Sequence, residues 1–175
     1  MMFEIFPYRH NWSGNFVIKY GYNTNIYTST ALKEQRRAMR RARNPTVEIK
    51  YDILIPYNEV DVFTEITKQN FFLFANEAEQ IVVKNPKLSI IRPEQDISNL
   101  FMLHNIDNLY LINRERSEAR SITEVANDRI IVDERFYYNT DKLYIGFKAV
   151  IVNISFNYLT CDICSYSITA RKIIQ

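Results

Sequence analysis

The clearest pattern in the chain lies at residues 46–55, TVEIKYDILI, where Val47, Ile49, Tyr51 and Ile53 alternate with Glu48, Lys50 and Asp52. A period of two places the apolar set on one face of an extended chain, so this segment is predicted to be a strand with one buried face. Pro45 introduces it and Pro56 ends it. Residues 15–30, NFVIKYGYNTNIYTST, show the same alternation: Phe16, Ile18, Tyr20 and Tyr22 share one face, Val17 and Lys19 the other. A kink is expected at Gly21. At 58–80, Val62, Phe63 and Ile66 fall at helical spacing behind Asn58, a candidate cap, which predicts a helix of two to four turns. From residue 86 onward short apolar runs alternate with turn signals: KLSII, NLFML, NLYLIN, ARSITEVAN, DRIIVDERFY, KLYIGFKAVIVNISFNYLT and CSYSITARKII. Runs of this length at such regular spacing predict a small barrel or sandwich. The fold class is therefore mainly β, with one or two short helices.

Composition strengthens that reading. The 175 residues hold 12 Tyr and 11 Phe but 3 Gly, so pleated half-buried surfaces are favoured and turns fall to Asn and Asp. GYNTN, VAND, YYNTD and HNIDN supply them. No apolar stretch approaches the length needed to cross a bilayer, and MMFEIFPYRHNW lacks the apolar core of a signal peptide. Two cysteines fit a reducing compartment, so synthesis and retention in a cytoplasm are expected.

Charge changes the picture at one place. The net charge is +2, yet residues 33–43 carry six basic groups and one acid, leaving a slightly acidic body elsewhere. A domain devoted to nucleic acid usually spreads positive charge over a whole face. Were ALKEQRRAMRR helical, Arg36, Arg37, Arg40 and Arg41 would form an i, i+1, i+4, i+5 stripe. Such a stripe could hold phosphates with steep salt dependence. The guanidinium equally suits bidentate carboxylate pairs and is enriched at interface hot spots. Protein interface is the favoured reading, ahead of a solvated helix and of nucleic acid.

Candidate catalytic chemistry is sparse. Cys161 and Cys164 form a Cys-x-x-Cys spacing, but their flanks read as strand, where three-residue spacing sends side chains to opposite faces. A redox pair belongs at a helix N-terminus, and zinc would need two further ligands. Two free thiols binding no metal are expected. His10 and His104 adjoin no recognisable nucleophile and read as surface or turn residues. Glu77 with Glu79, and Glu59 with Asp61, have the spacing of paired carboxylates that also occurs on any solvated surface. Three scattered glycines build no phosphate loop. No enzyme, cofactor or metal site is expected.

The quoted segments also carry a resemblance. FPYRHNWSGNF leads into a strand, then the box KEQRRAMRRARNP and a second strand; NLYLINRERSEARSITEVANDRIIVDE and LYIGFKAVIVN follow. This order resembles the tail-tip proteins of long-tailed bacteriophages, related in organisation to the distal tail protein, over about residues 10–160. The glycines and prolines around the family's box are thinned here to Pro45. The resemblance implies a β-sandwich, residues 1–85 plus 161–175, bearing an inserted small barrel-like β-domain at 86–160. It implies a non-enzymatic virion protein of the tail tip or baseplate, forming a ring around the tail axis and joining the tail tube to hub and tip components. Arg36, Arg37, Arg40 and Arg41, with Glu34 and Gln35, would then grip the next subunit or the tube, with Glu34, Glu77 or Glu79 as acidic partners. Two readings stand beside it: a nucleic-acid-binding β-domain using those arginines, and a host-attachment module presenting Tyr137 and Tyr138 to sugars or cell-wall polymer.

Overall fold

The computed structural model describes residues 4–11, 13–14, 16–21, 24–28, 34–38, 46–69, 71–83, 89–97, 106 and 108–173. In chain order the elements are β1 (Phe16–Gly21), β2 (Thr24–Thr28), β3 (Glu34–Ala38) and β4 (Thr46–Pro56). A 3-10 turn (Tyr57–Glu59) runs into helix α1 (Val60–Thr67). Then come β5 (Phe71–Val82), β6 (Ile90–Ile91), β7 (Leu109–Asn113), β8 (Glu118–Val125), β9 (Ile130–Val132), β10 (Lys142–Leu159) and β11 (Ile163–Lys172). The protein is mainly β.

Among the described residues, nine strands make one antiparallel sheet in the order β1-β4-β11-β10-β7-β8-β9-β6, with β5 also paired to β10; β2 and β3 form a separate two-stranded sheet. Among these residues the path runs from β1 to β6 without closing.

Strand β10 organises the sheet. Its residues 142–150 pair with β5, residues 144–147 also pair with β7, and residues 149–159 pair with β11. A strand has two edges, so β5 lies along one, while β7 and then β11 succeed each other along the other. This crowding explains Gly146. A Cβ there would sit 2.2 Å from Ile112 Cδ1 and 2.8 Å from the Phe74 carbonyl oxygen, so only glycine lets the strands on both sides close in. The pairing with β5 shifts register between Tyr144 and Gly146. Residues 142–159 thus bond directly to strands from both sides of the sequence division expected at 86 and 160.

Among the described residues, one cluster of buried apolar side chains runs through the sheet, from Phe6, Ile49, Ile53 and Phe74 to Ile130, Phe136 and Phe147. The buried face of β4 follows the sequence alternation, with Val47, Ile49, Tyr51, Ile53 and Ile55 all inside. Residues 4–10 and α1 cover this face. Phe6 stacks on Phe74 at 4.8 Å between centroids, and Tyr8 meets Phe63 edge-on at 5.3 Å. Backbone bonds from Phe6 N to Leu73 O and from Leu73 N to Glu4 O tie the N-terminal segment along β5.

The helix of two to four turns expected within 58–80 forms as the two turns of Val60–Thr67, and residues 71–80 of that segment belong to strand β5. Phe72, Leu73 and Phe74 of the run FFLF are buried between β10 and the N-terminal segment, which overrides the helix-forming residues after them. The N-cap is Glu59 without a side-chain capping bond, not Asn58. The strand at 15–30 ends at Gly21, and β2 belongs to the other sheet.

Candidate functional site

The two halves of β10 differ in what lies beside them. Beyond Val150, where β5 ends, the outer edge of residues 151–159 faces no strand among the described residues. Val152, Phe156, Tyr158 and Leu159 are exposed there, with Ile163 beyond the turn and Leu54 and Tyr57 nearby. No charged residue occurs from Ala149 to Cys161. Edge strands are ordinarily guarded by lysine, proline or inward charges, because unpaired N–H and C=O groups template pairing with another chain. This edge carries none of those side chains. Its protection is limited to irregularities, since the register with β11 shifts at Val152 and at Asn157.

The hairpin that presents this edge is firmly held. Ile163 N donates to Thr160 Oγ1 at 3.1 Å and Tyr57 N donates to the Asp162 carbonyl at 2.9 Å. On the core side Phe156 meets Tyr166 at 5.5 Å, and Tyr166 meets Phe63 of α1 at 4.9 Å. On the other side Asn157 Nδ2 donates to Ser167 Oγ at 2.8 Å, and Ser167 Oγ donates to Asp52 Oδ1. The opposite border of this part of the sheet is β1, whose outer edge also faces no strand among the described residues. Val17 is exposed on it. Strands β1, β4, β11 and β10 alternate in direction. A β1 from another copy placed beside β10 would therefore continue the antiparallel ladder without inverting the subunit.

The sequence-proposed site residues fall elsewhere. Glu34, Gln35, Arg36 and Arg37 lie in β3, at register with Thr28, Tyr27, Ile26 and Asn25 of β2. Residues 34–38 form a strand, so the 3.6-residue period needed for the arginine stripe is absent there. Arg40 and Arg41 lie outside the described residues, as does His104. Glu77 is not a surface acid awaiting a partner subunit. It pairs at 2.8 Å with Arg114, and both side chains are about nine-tenths buried. His10 is buried rather than superficial, its ring nitrogen Nδ1 3.2 Å from the Asp52 carbonyl oxygen. Cys161 is exposed in the β10–β11 turn, not in a strand, and its thiol donates to Asp162 Oδ2 at 3.2 Å. Cys164 is buried in β11, and both thiols are free. Tyr137 and Tyr138 are exposed, on the loop before β10.

Sequence reasoning missed the role of Arg114. It occupies the β7–β8 turn, pairs with Glu77 of β5, and donates from Nη2 to the Tyr8 carbonyl at 2.6 Å. Burial lowers its pKa, and the Glu77 carboxylate opposes that shift. Tyr51 is fully enclosed nearby; burial pushes its phenol well above the ordinary range, Arg114 pulls it down and Glu77 adds to the rise. One guanidinium thus ties the N-terminal segment, β5 and the β7–β8 turn together. The cluster faces inward and holds the fold.

Among the described residues no helix is long and apolar enough to cross a membrane, and no group of three or more His, Cys, Asp or Glu is gathered as a metal site. No protein-family model matches the sequence, and no curated protein matches it.

Proposed function

We propose that the protein is a non-enzymatic structural subunit that assembles with copies of itself, in the tail-tip or baseplate role that its sequence resemblance implies. The carrying observation is the uncharged edge of β10 at 151–159, with exposed Val152, Phe156 and Tyr158. Under this reading the edge receives β1 of the next copy. That contact is heterologous, one patch against a different one, and it closes into a ring when the rotation between subunits divides the circle. The β2–β3 hairpin, with Arg36 and Arg37, adds a second contact to the same neighbour or to the tail tube. The resemblance goes with a β-sandwich bearing a barrel-like insert; because β10 pairs with both β5 and β11, the two parts would share one hydrophobic core.

Sedimentation velocity and negative-stain imaging test the proposal on three samples. Wild type should form rings. Val152→Lys with Tyr158→Lys should give folded monomers, and Val17→Lys on β1 should do the same because it removes the other half of the contact. Loss of assembly in the β10 variant with none in the β1 variant would instead indicate a two-fold β10–β10 contact and contradict the ring. A wild type that stays monomeric at all concentrations would contradict self-assembly altogether. The nucleic-acid reading is separated by a gel shift: salt-sensitive DNA binding lost on charge reversal of Arg36, Arg37, Arg40 and Arg41, with assembly intact, would favour it.

A further inference from the structure

A second site lies at the other end of β10, where the loop 133–141 leads into the strand. Among its exposed side chains are the rings of Tyr137 and Tyr138, 68% and 52% exposed. Exposed aromatic rings on loops are common; this pair is held in place from beneath. Glu118 and Arg120 of β8 form an ion pair with side chains only 6% and 10% exposed. Glu118 Oε1 accepts the backbone N–H of Tyr137 at 2.7 Å, and Oε2 accepts that of Tyr138 at 3.4 Å. The Arg120 guanidinium lies 5.2 Å from the Tyr137 ring centroid and donates from Nε to the Arg135 carbonyl at 3.1 Å. Arg116 lies 5.4 Å from the Tyr138 ring centroid. It is carried by the β7–β8 turn, where its N–H donates to Asn113 Oδ1 and Ser117 adopts a left-handed backbone at φ 49°. Buried charge and a strained non-glycine backbone are costly, and both are arranged here around two rings that remain in solvent.

The surroundings narrow the ligand. In the loop and the turn Asp133, Glu134, Asp141 and Glu115 balance Arg135, Lys142, Arg116 and Arg114, so no net positive field draws a polyanion. A protein partner needs a broad contact patch, about 800 Å² a side. The exposed large apolar side chains of β10 and β11 cluster at the opposite end of these strands, leaving only the two tyrosines on this loop. Two flat apolar faces with phenol hydroxyls, among carboxylate, amide and guanidinium groups, match a small ring that is apolar on its C–H face and bears hydroxyls at its rim. We infer that Tyr137 and Tyr138 form a binding platform for a neutral saccharide, held in shape by Glu118 and Arg120. The inference stands apart from the assembly edge and does not depend on it.

The test uses the full chain and a panel of neutral gluco-, manno- and chito-oligosaccharides, with a single-stranded oligonucleotide as polyanion probe. Calorimetry measures affinity, and NMR shift changes map the contact. Saturable binding of at least one neutral oligosaccharide is expected, mapped to residues 116 and 137–139 and insensitive to salt. Tyr137→Ala with Tyr138→Ala should weaken it about tenfold or more. Tyr57→Ala, an exposed tyrosine near the β10–β11 turn, should leave it unchanged. The wild-type map judges the inference even if the double variant fails to fold. Absence of binding across the panel, a map elsewhere, undiminished binding by a folded double variant, or binding of the oligonucleotide alone would overturn it.

Discussion

Residues 142–150 and 151–159 of β10 are one continuous strand in two environments. The first half lies between β5 and β7, buries Leu143, Ile145, Phe147 and Ala149, and tolerates no side chain at 146. The second half has a partner on one edge, and Val152, Phe156 and Tyr158 face solvent. Both halves are rich in β-branched and aromatic residues, so propensity does not separate them. What separates them is charge and neighbours. Lys142 and Lys148 lie within the flanked half, whereas no charged residue occurs from 149 to 161. An apolar strand that is fully flanked makes a core, and the same texture left unflanked presents unpaired backbone groups that can template pairing with another chain.

The comparison can be broken most severely by removing the shared strand. Replacing residues 86–160 with a short Gly/Ser link would delete β10 and leave β5 and β11 without their partner. The shortened chain is expected to lack cooperative thermal unfolding; a stable β-rich core by circular dichroism would show that residues 1–85 and 161–175 need no help from β10. Next in size is the buried clamp. Arg114→Ala leaves the enclosed Glu77 without its ion-pair partner, and should cost about 3–5 kcal/mol in urea unfolding. Gly146→Ala, aimed at the flanked half alone, should cost about 1–3 kcal/mol through overpacking against Ile112 and the Phe74 carbonyl. By contrast, Val152→Lys on the open half should change monomer stability by about 0.5 kcal/mol or less while abolishing assembly. Equal stability losses at 146 and 152 would erase the distinction between the halves.

The smallest effect concerns pH. The Tyr51 phenol is raised by burial, so it stays protonated in the folded state where the unfolded chain already ionises. Its contribution is intact below the ordinary tyrosine value of about 10 and is lost as pH climbs from there toward the raised value. Tyr51→Phe should flatten that part of the alkaline stability curve. An unchanged slope would mean that other tyrosines set it.

Much of the fold was legible where one face of a strand is buried. Strand β4 keeps its alternation from Val47 to Ile53 because N-terminal aromatics cover one face and solvent meets the other. Strand β5 was not legible, because Phe71–Phe74 give no period and Ala75–Gln80 favour helix in isolation; pairing with β10 decides it. The segment EQRRA likewise has helix-forming residues, yet pairs with β2 as a strand. At the candidate edge, the missing charge between 149 and 161 was visible in the sequence. Its meaning was not, since exposure depends on β5 ending opposite Val150. Arg114 was equally hidden, because its partners lie about 37 and 106 residues away in the chain.

Hydrogen exchange across β10, followed as protein concentration is raised, tests the central claim most directly. Amides in 142–150 should be protected at every concentration. Outward-facing amides in 151–159 should exchange quickly in dilute protein and become protected as assembly proceeds, together with those of β1. Protection of 151–159 in the dilute monomer, or fast exchange there in the assembled ring, would contradict the assignment of this edge as the assembly contact.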